Sequence, residues 1–590
     1  MDTTGGIMEP GKGPEAAKAA AAMLCRPGTG NAIFSDADTA LGPRAFFRED
    51  GPAAAVCDGE LLNRDMLRSA LVKKGAAAEQ ASDAELLALI YVEHGANFIR
   101  KTRGPLSVAL RDRANGKLLL STDRMGAKPV YYSLKNGRLA FAGNPRALLK
   151  TPWISSDVDS AALKLYLEFG FIPAPFTIYK DIRKLPPAGT LIFENGAVRE
   201  ERFWSIDETY ASGRADYEDA LAMLRHQLAD SAGIIAADGA DCALLSGGFA
   251  SALTAAAVAR ASNNRVKALH ASFDGEEDEA ATRQAEQTAK FYGMEFERVA
   301  LKADPAAILS ALTKNRPEPF YSPRAARLRL IADAASSRSP LWLDGTGGGE
   351  SFATHARYAL AAKRFPHASL PGPLFRLAGR LSNPGRTEAA AASAYRDLIR
   401  VFSAQETADL INTDFLSRTG NQEMTPDYLM ENFKGSGSFG LANAMLKFDL
   451  LTALPAEMAS ASCSPVRTRS PFLDHRMAEL ALSLPGDWKL PRGKKSAMVL
   501  REAFRLYLPD SLLESPPEEC SSSVPAGGEA LAKLWRETML SDGAATRGLF
   551  NRKALENILE RHYRGDDMTR KMMSLLTLEE WLGQGPEQCA

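Results

Sequence analysis

The sequence predicts a two-domain protein, α+β in its first part and α/β in its second, with a helical C-terminal part. Three observations predict this. Up to about residue 205 the chain reads as short strands and turns with few helices. From Tyr217 on, long helical runs alternate with short apolar strands, the pattern of a parallel sheet flanked by helices. Between one such strand and the helix after it lies the glycine-rich turn Ser246-Gly247-Gly248. Backbone N–H groups of such a turn, with a helix dipole behind them, suit a phosphate or pyrophosphate.

The elements follow in order. Ala53 to Cys57, Leu106 to Arg111, Lys117 to Ser121 and Leu139 to Ala142 are strand-like, and Ala84 to His94 is a helix. Ala188 to Val198 is a hairpin with Asn195-Gly196 at its turn. In the second part the strands are Cys242 to Leu245, Val266 to Phe273, Phe296 to Leu301 and Leu341 to Leu343. Beyond Leu343 nearly everything is helical. Phe365 to Arg386, rich in Pro and Gly, is expected to be an exposed loop, and Ala389 to Ala394 a helix. The expected domains are 1–205 and 206–590.

The bulk composition excludes several classes. With 590 residues, 45% hydrophobic and 24% charged, the chain is an ordinary globular protein. A net charge of −1 gives no electrostatic case for nucleic acid or an anionic membrane. Its six cysteines form no CxxC pair, which argues against a disulfide framework or zinc site. No leader is read at Met1-Asp2-Thr3-Thr4, and no apolar run reaches the roughly 18 residues of a membrane span. A cytoplasmic protein is expected.

Several longer segments carry a resemblance. They are Asp58-Gly59-Glu60-Leu61-Leu62-Asn63, Ser82-Asp83-Ala84-Glu85, Asp123-Arg124-Met125-Gly126-Ala127-Lys128-Pro129, the turn Ser246-Gly247-Gly248-Phe249-Ala250-Ser251, and Arg469-Ser470-Pro471-Phe472-Leu473-Asp474-His475-Arg476. In type and order they resemble the motifs of the glutamine-dependent asparagine synthetase family. The resemblance implies an N-terminal-nucleophile αββα sandwich, a class II glutamine amidotransferase domain. It implies next a parallel-sheet, adenine nucleotide α-hydrolase-like domain with a pyrophosphate loop. In that family the first domain hydrolyses glutamine and the second adenylates aspartate, so ATP and magnesium enter as cofactors by resemblance only.

The residues that handle substrate depart from the family pattern. The family's N-terminal Cys is missing: position 2 is Asp2, and aligning Gly6-Ile7 with the family's Gly-Ile puts Gly5 at the nucleophile. Thr3 or Thr4 would serve only if processing exposed it, and Cys25 and Cys57 read as small buried residues. Asp58 replaces the oxyanion-hole Asn, and a carboxylate cannot donate to an oxyanion. Gly59, Glu60 and Asp83 remain as glutamine-site remnants, while Arg44 is one place early and Ala45 takes its position.

In the second domain Ser246, Gly247, Gly248 and Ser251 keep the loop, but Ala250 replaces its Asp. The family's Ser-Gly-Asp-Gly-Ala-Asp-Glu reads Asp344-Gly345-Thr346-Gly347-Gly348-Gly349-Glu350, so Thr346 and Gly349 stand where two acids belong. Asp344, Gly345, Glu350 and Ala271 are nucleotide-site remnants, with Asp344 adding negative charge. Ala497 takes the place of a catalytic lysine; Lys494 and Lys495 fall on another face of the same expected helix. Glu518-Glu519 replaces two expected cations. No metal ligand set is assigned; Glu350, Asp344 and Asp241 are the acids from which a new one would have to be built.

Three readings follow. The first is a catalytically silent family member kept as scaffold, regulator or assembly partner, as a homodimer or beside an active paralogue. The second is an ATP-dependent amidoligase of altered site, using free ammonia or a carrier-bound amine. The third is a nucleotide-binding sensor. Asp123-Arg124 and Leu473-Asp474-His475-Arg476 are expected to be structural salt-bridge and packing motifs.

Overall fold

The structure is a computed structural model. It describes residues 5–8, 34–35, 39–41, 46–47, 51–206, 216–263, 266–273, 276–302, 304–364, 384–420, 433, 441–462, 464–491, 495–514, 527–545 and 548–584. Asp2, Thr3, Thr4, Cys25, Arg44, Ala45, Lys494 and Glu518-Glu519 lie outside these residues, as does most of the loop expected from Phe365.

Among the described residues twelve strands precede residue 205: β1 (Gly5–Met8), β2 (Phe34–Ser35), β3 (Thr39–Leu41), β4 (Phe46–Phe47), β5 (Ala53–Gly59), β6 (Leu106–Asp112), β7 (Lys117–Thr122), β8 (Tyr131–Lys135), β9 (Arg138–Ala142), β10 (Arg183–Lys184), β11 (Gly189–Glu194) and β12 (Ala197–Arg202). They form two six-stranded antiparallel sheets, ordered β10-β8-β9-β1-β3-β2 and β12-β11-β7-β6-β5-β4. Strands β6, β7 and β11 are buried along nearly their whole length, on both faces. Ala54 and Val56 of β5 join Leu118, Leu120, Leu191 and Phe193 against Tyr132 and Phe141 of the other sheet. The alternate residues Ala53 and Ala55 turn to Leu67, Leu71, Leu86 and Leu87 of helices Arg64–Lys73 and Asp83–His94. Helix Pro145–Leu148 packs on β8 and β9 of the first sheet, which completes the αββα layering.

The hairpin at Asn195-Gly196 forms as expected, with φ of 52° and 77° and Glu194 opposite Ala197. Asn136-Gly137 makes the same turn between β8 and β9, at φ of 52° and 73°. The motif Ser82-Asp83-Ala84-Glu85 is a helix start. Ser82 accepts from the Glu85 N–H while the Glu85 side chain accepts from the Ser82 N–H.

The second domain holds one parallel sheet of β13 (Cys242–Leu244), β14 (Lys267–Ser272), β15 (Phe296–Ala300), β16 (Leu341–Leu343) and β17 (Arg467–Arg469), in the order β15-β14-β13-β16-β17. Four of these strands match the expected ones. β17 does not, because Arg-Thr-Arg carries no apolar signal; its register on β16 makes it a strand. The expected exposed loop ends earlier than Arg386: a helix spans Pro384–Ile399, and proline is well placed in a first helical turn. Ala389 to Ala394 lie in that helix.

The two domains are joined by buried contacts. Lys184 Nζ pairs with Glu318 at 2.5 Å, and the Tyr131 hydroxyl donates to Glu318 at 2.9 Å. The last helix, Thr569–Gly583, docks on the first domain. Arg146 donates to the Trp581 carbonyl at 2.6 Å with its guanidinium 4.1 Å from the Trp581 ring centre, and Tyr166 donates to the Ser574 carbonyl.

Candidate functional site

The first-domain remnants lie at the end of β5. Gly59 has φ +106°, and a Cβ there would lie 2.0 Å from the Pro105 carbonyl oxygen, so only glycine fits. Asp58, just before it, pairs with Lys128 Nζ at 3.5 Å. Glu60, just after it, is engaged by Arg467 and Arg469 of the second domain, and Arg469 also reaches Asp238 at 3.1 Å. Asp83 accepts from the Leu61 N–H and from Arg64, each at 3.3 Å. The acids kept from a glutamine site thus hold parts of the protein together. Replacing Glu60 with Gln removes an ion pair to a 7%-exposed Arg469, and a loss of about 1–3 kcal/mol is expected for a charge-assisted contact of this kind. A thermal melt of Glu60→Gln matching that of the wild type would count against the clasp.

Gly5 lies in β1, paired with Ala142 of β9, in a strand that has partners on both sides. Cys57 is half-buried, not buried as expected.

The second site lies where the strand order reverses, outside the carboxyl ends of β13 and β16. After β13 the loop at 246–251 bonds to itself. The Ser246 N–H donates to Ser251 Oγ and the Gly248 N–H to Ser246 Oγ, both at 3.2 Å, while Ser251 Oγ donates to the Gly248 carbonyl. Gly247 has φ +82°, and a Cβ there would meet the Ala281 carbonyl at 2.5 Å. The turn after β16 packs on this loop, since a Cβ at Gly345 would lie 2.6 Å from the Ser251 nitrogen and one at Gly348 2.7 Å from Ala250 Cβ. Ala271 is buried on β14 beside them.

Asp344 is turned back into this turn, its Oδ1 accepting from the Thr346 N–H at 2.9 Å. Burial raises its carboxyl above the ordinary value despite nearby Arg324. Arg324 donates to Thr346 Oγ1 at 2.6 Å and pairs with Glu457 at 3.1 Å. Glu457 is also raised by burial, with Glu350 and Asp344 adding to the shift. Glu350 behaves oppositely. Burial opposes its ionisation, but His355 at 3.3 Å, Arg324 and Arg357 outweigh that and hold its carboxyl well below the usual range.

The residues that match family profiles span both parts of the chain. The family model described as asparagine synthase matches residues 223–583, and the one described as glutamine amidotransferase domain matches residues 27–204. The chain belongs to the asparagine synthase family. A stretch of 236 residues is 29% identical to asparagine synthetase (glutamine-hydrolyzing) 3 of Bacillus subtilis, over 38% of this chain and 37% of that protein. Over 568 residues, 89% of this chain and 83% of the other, it is 24% identical to a putative asparagine synthetase (glutamine-hydrolyzing) of Mycobacterium bovis. It is 23% identical over 553 residues to amidase chyE of Penicillium rubens, over 82% of this chain and 79% of that protein.

In this asparagine synthase family member an interdomain cavity of about 320 Å³ is touched by Asp58, Glu60 and Lys128 of the first domain and by Asp344, Thr346 and Glu457 of the second. The residues at the switch point do not fit a magnesium ion bridging phosphates. Among the described residues no group of three or more His, Cys, Asp or Glu side chains stands together as a ligand set. Asp241 cannot complete one. It precedes β13 at the opposite end of the parallel sheet, where it accepts from Ser339 at 2.7 Å.

Two other expectations are corrected. Ala497 is not on a helix face; it has φ +57°, precedes helix Met498–Ala503 and donates its N–H to the Lys489 carbonyl at 2.6 Å. Lys495 pairs with Glu514 instead of entering the site. Asp123 and Arg124 do not form a salt bridge with each other. Asp123 accepts from the N–H groups of Leu106, Met125, Ala127 and Lys128, and Arg124 donates to the Thr102 and Arg100 carbonyls. Asp474 and Arg476 do pair, at 2.5 Å. Arg324, His355, Arg357 and Glu457 were not singled out in the sequence. For His355 and Arg357 the available signal was their place within about two helical turns after Glu350; for Arg324 and Glu457 there was none.

The buried lysine near Ala497 is Lys489, whose Nζ donates to the Leu484 carbonyl at 3.0 Å and to the Ala481 carbonyl. Burial lowers it to about 7, with Asp487 opposing. A depressed folded pKa means that stability is fully present above the unfolded value near 10.5 and is lost as pH falls toward 7. The thermal midpoint of the wild type is therefore expected to rise from pH 7 to 9.5 relative to that of Lys489→Met. Parallel pH profiles for the two proteins would remove this role from Lys489.

Proposed function

We propose that this chain is a catalytically silent member of the asparagine synthase family, serving as a scaffold or regulatory partner. One observation supports the reading above the others. Glu60, kept where the family resemblance implies a substrate-amine contact, is committed to Arg467 and Arg469 across the domain interface. A substrate amine would have to compete with two guanidinium groups for one carboxylate. The proposed setting is cytoplasmic, as a homodimer or in assembly with an active paralogue; no helix among the described residues is long and apolar enough to cross a membrane. Glutaminase assays combined with carboxylate-dependent exchange of pyrophosphate into ATP test the proposal, and no turnover is expected in either.

A second reading, an ATP-dependent amidoligase of altered site, is favoured by one feature. Glu350 is retained at the switch point and kept ionised. Exchange activity that disappears in Glu350→Gln would replace the silent reading with this one.

A further inference from the structure

Gly349 is the second residue of the helical turn Gly348–Phe352 and stands where the family resemblance implies an acid. A Cβ built on it would lie 1.9 Å from His355 Nε2 and 2.2 Å from Cδ2. No side chain fits at 349 while the imidazole stands there. The ring is fixed from several directions. Its Nε2 is 3.3 Å from Glu350 Oε1, and it stacks on Tyr358 with centroids 6.1 Å apart and 24° between planes. Tyr358 stacks in turn on Tyr395 at 6.2 Å and 10°, and both hydroxyls converge on the buried Asp449. Arg357 ties the two acids together, 3.7 Å from Glu350 and 2.9 Å from Asp449. His355 is 7% exposed and Glu350 4%.

We propose that His355 is the stand-in for a divalent ion in this site. Its ring fills the space that a carboxylate at 349 requires. With Arg357, 3.7 Å away, it brings nitrogen groups to Glu350, which a metal would otherwise engage. The two changes belong together: an acid at 349 is incompatible with this ring position, and the ring nitrogen stands 3.3 Å from Glu350 Oε1, where an ion would be held. Reversal by adding carboxylates alone is therefore blocked, and His355 must go first. The proposal rests on the silent reading only in taking that no divalent ion works at this position.

The test is a set of four proteins: wild type, Gly349→Asp, His355→Ala and the double variant. Gly349→Asp alone is expected to lower the thermal midpoint strongly. Adding His355→Ala is expected to recover much of that loss, so the two effects are not additive. Because Gly349→Asp risks failing to fold, Gly349→Ala, which adds only the Cβ, gives the same comparison with a smaller insult. Manganese titration followed by electron paramagnetic resonance is the second readout. The double variant is expected to bind at least about tenfold more tightly than the wild type, a 1.4 kcal/mol difference, and to lose that gain with Glu350→Gln. Additive stability losses overturn the space argument. A double variant with no gain in manganese affinity, or a wild type that binds as tightly, overturns the stand-in. Amide synthesis by a wild type that binds no manganese would instead overturn the silent reading and leave the role of His355 intact.

Discussion

Purified protein given glutamine is expected to release glutamate no faster than a heat-killed control. Acyl transfer from glutamine needs a nucleophile, and an N–H donor where the oxyanion forms. Position 5 offers no side chain and pairs with Ala142 of β9 at the start of β1. Position 58 offers a carboxylate paired with Lys128, which accepts and cannot donate. Losing one member of such a unit already costs on the order of 10⁴-fold or more in rate, and here two are lost together. Asp58→Asn alone is accordingly expected to restore nothing. Sustained glutamate release from the unmodified protein would point to Thr3, Thr4 or Cys57 as a nucleophile and end the silent reading for the first domain.

The second large effect concerns ATP. Binding is expected to be weaker than about 1 mM, less than roughly 4 kcal/mol, and unchanged by magnesium. The loop that would cradle a phosphate bonds to itself through Ser246, Gly248 and Ser251. Thr346 is taken by Arg324, and His355 occupies the space beside Gly349. What is left is a helix dipole, and roughly 0.3–1 kcal/mol from that source does not replace a divalent ion against several phosphate charges. The simple repair Ala250→Asp with Gly349→Asp conflicts with His355, since a Cβ at 349 would lie 1.9 Å from its Nε2. Calorimetric titration with and without magnesium decides the matter: micromolar, magnesium-dependent binding would sink this expectation.

The frame of both domains was legible because its signals are local. Asn195-Gly196 specifies its own turn, Ser82 and Glu85 cap their own helix, and strands such as Cys242–Leu244 are short apolar runs between helices. The departures at Asp58, Ala250, Thr346, Gly349 and Ala497 are read in the same local way, each a residue type set against a resembled motif. What took their places was not legible. Glu60 meets Arg469 across 409 positions of sequence and Arg324 meets Glu457 from another helix, so no spacing announces either pair. The conformation of Ala497 was misread for a related reason. Neighbouring residues suggested a continuing helix, but the chain turns through a left-handed residue before the helix starts.

The docking of the last helix on the first domain has a consequence in time. Arg146 and the Trp581 carbonyl are 435 positions apart. A ribosome adding roughly 5–20 residues per second leaves Arg146 waiting roughly 20–90 s for its partner to emerge. During that interval the nascent first domain exposes the surface that Trp581 and Ser574 later cover. A chain released early from translation would keep that surface bare, and such truncated products should be the first clients of chaperones and proteases.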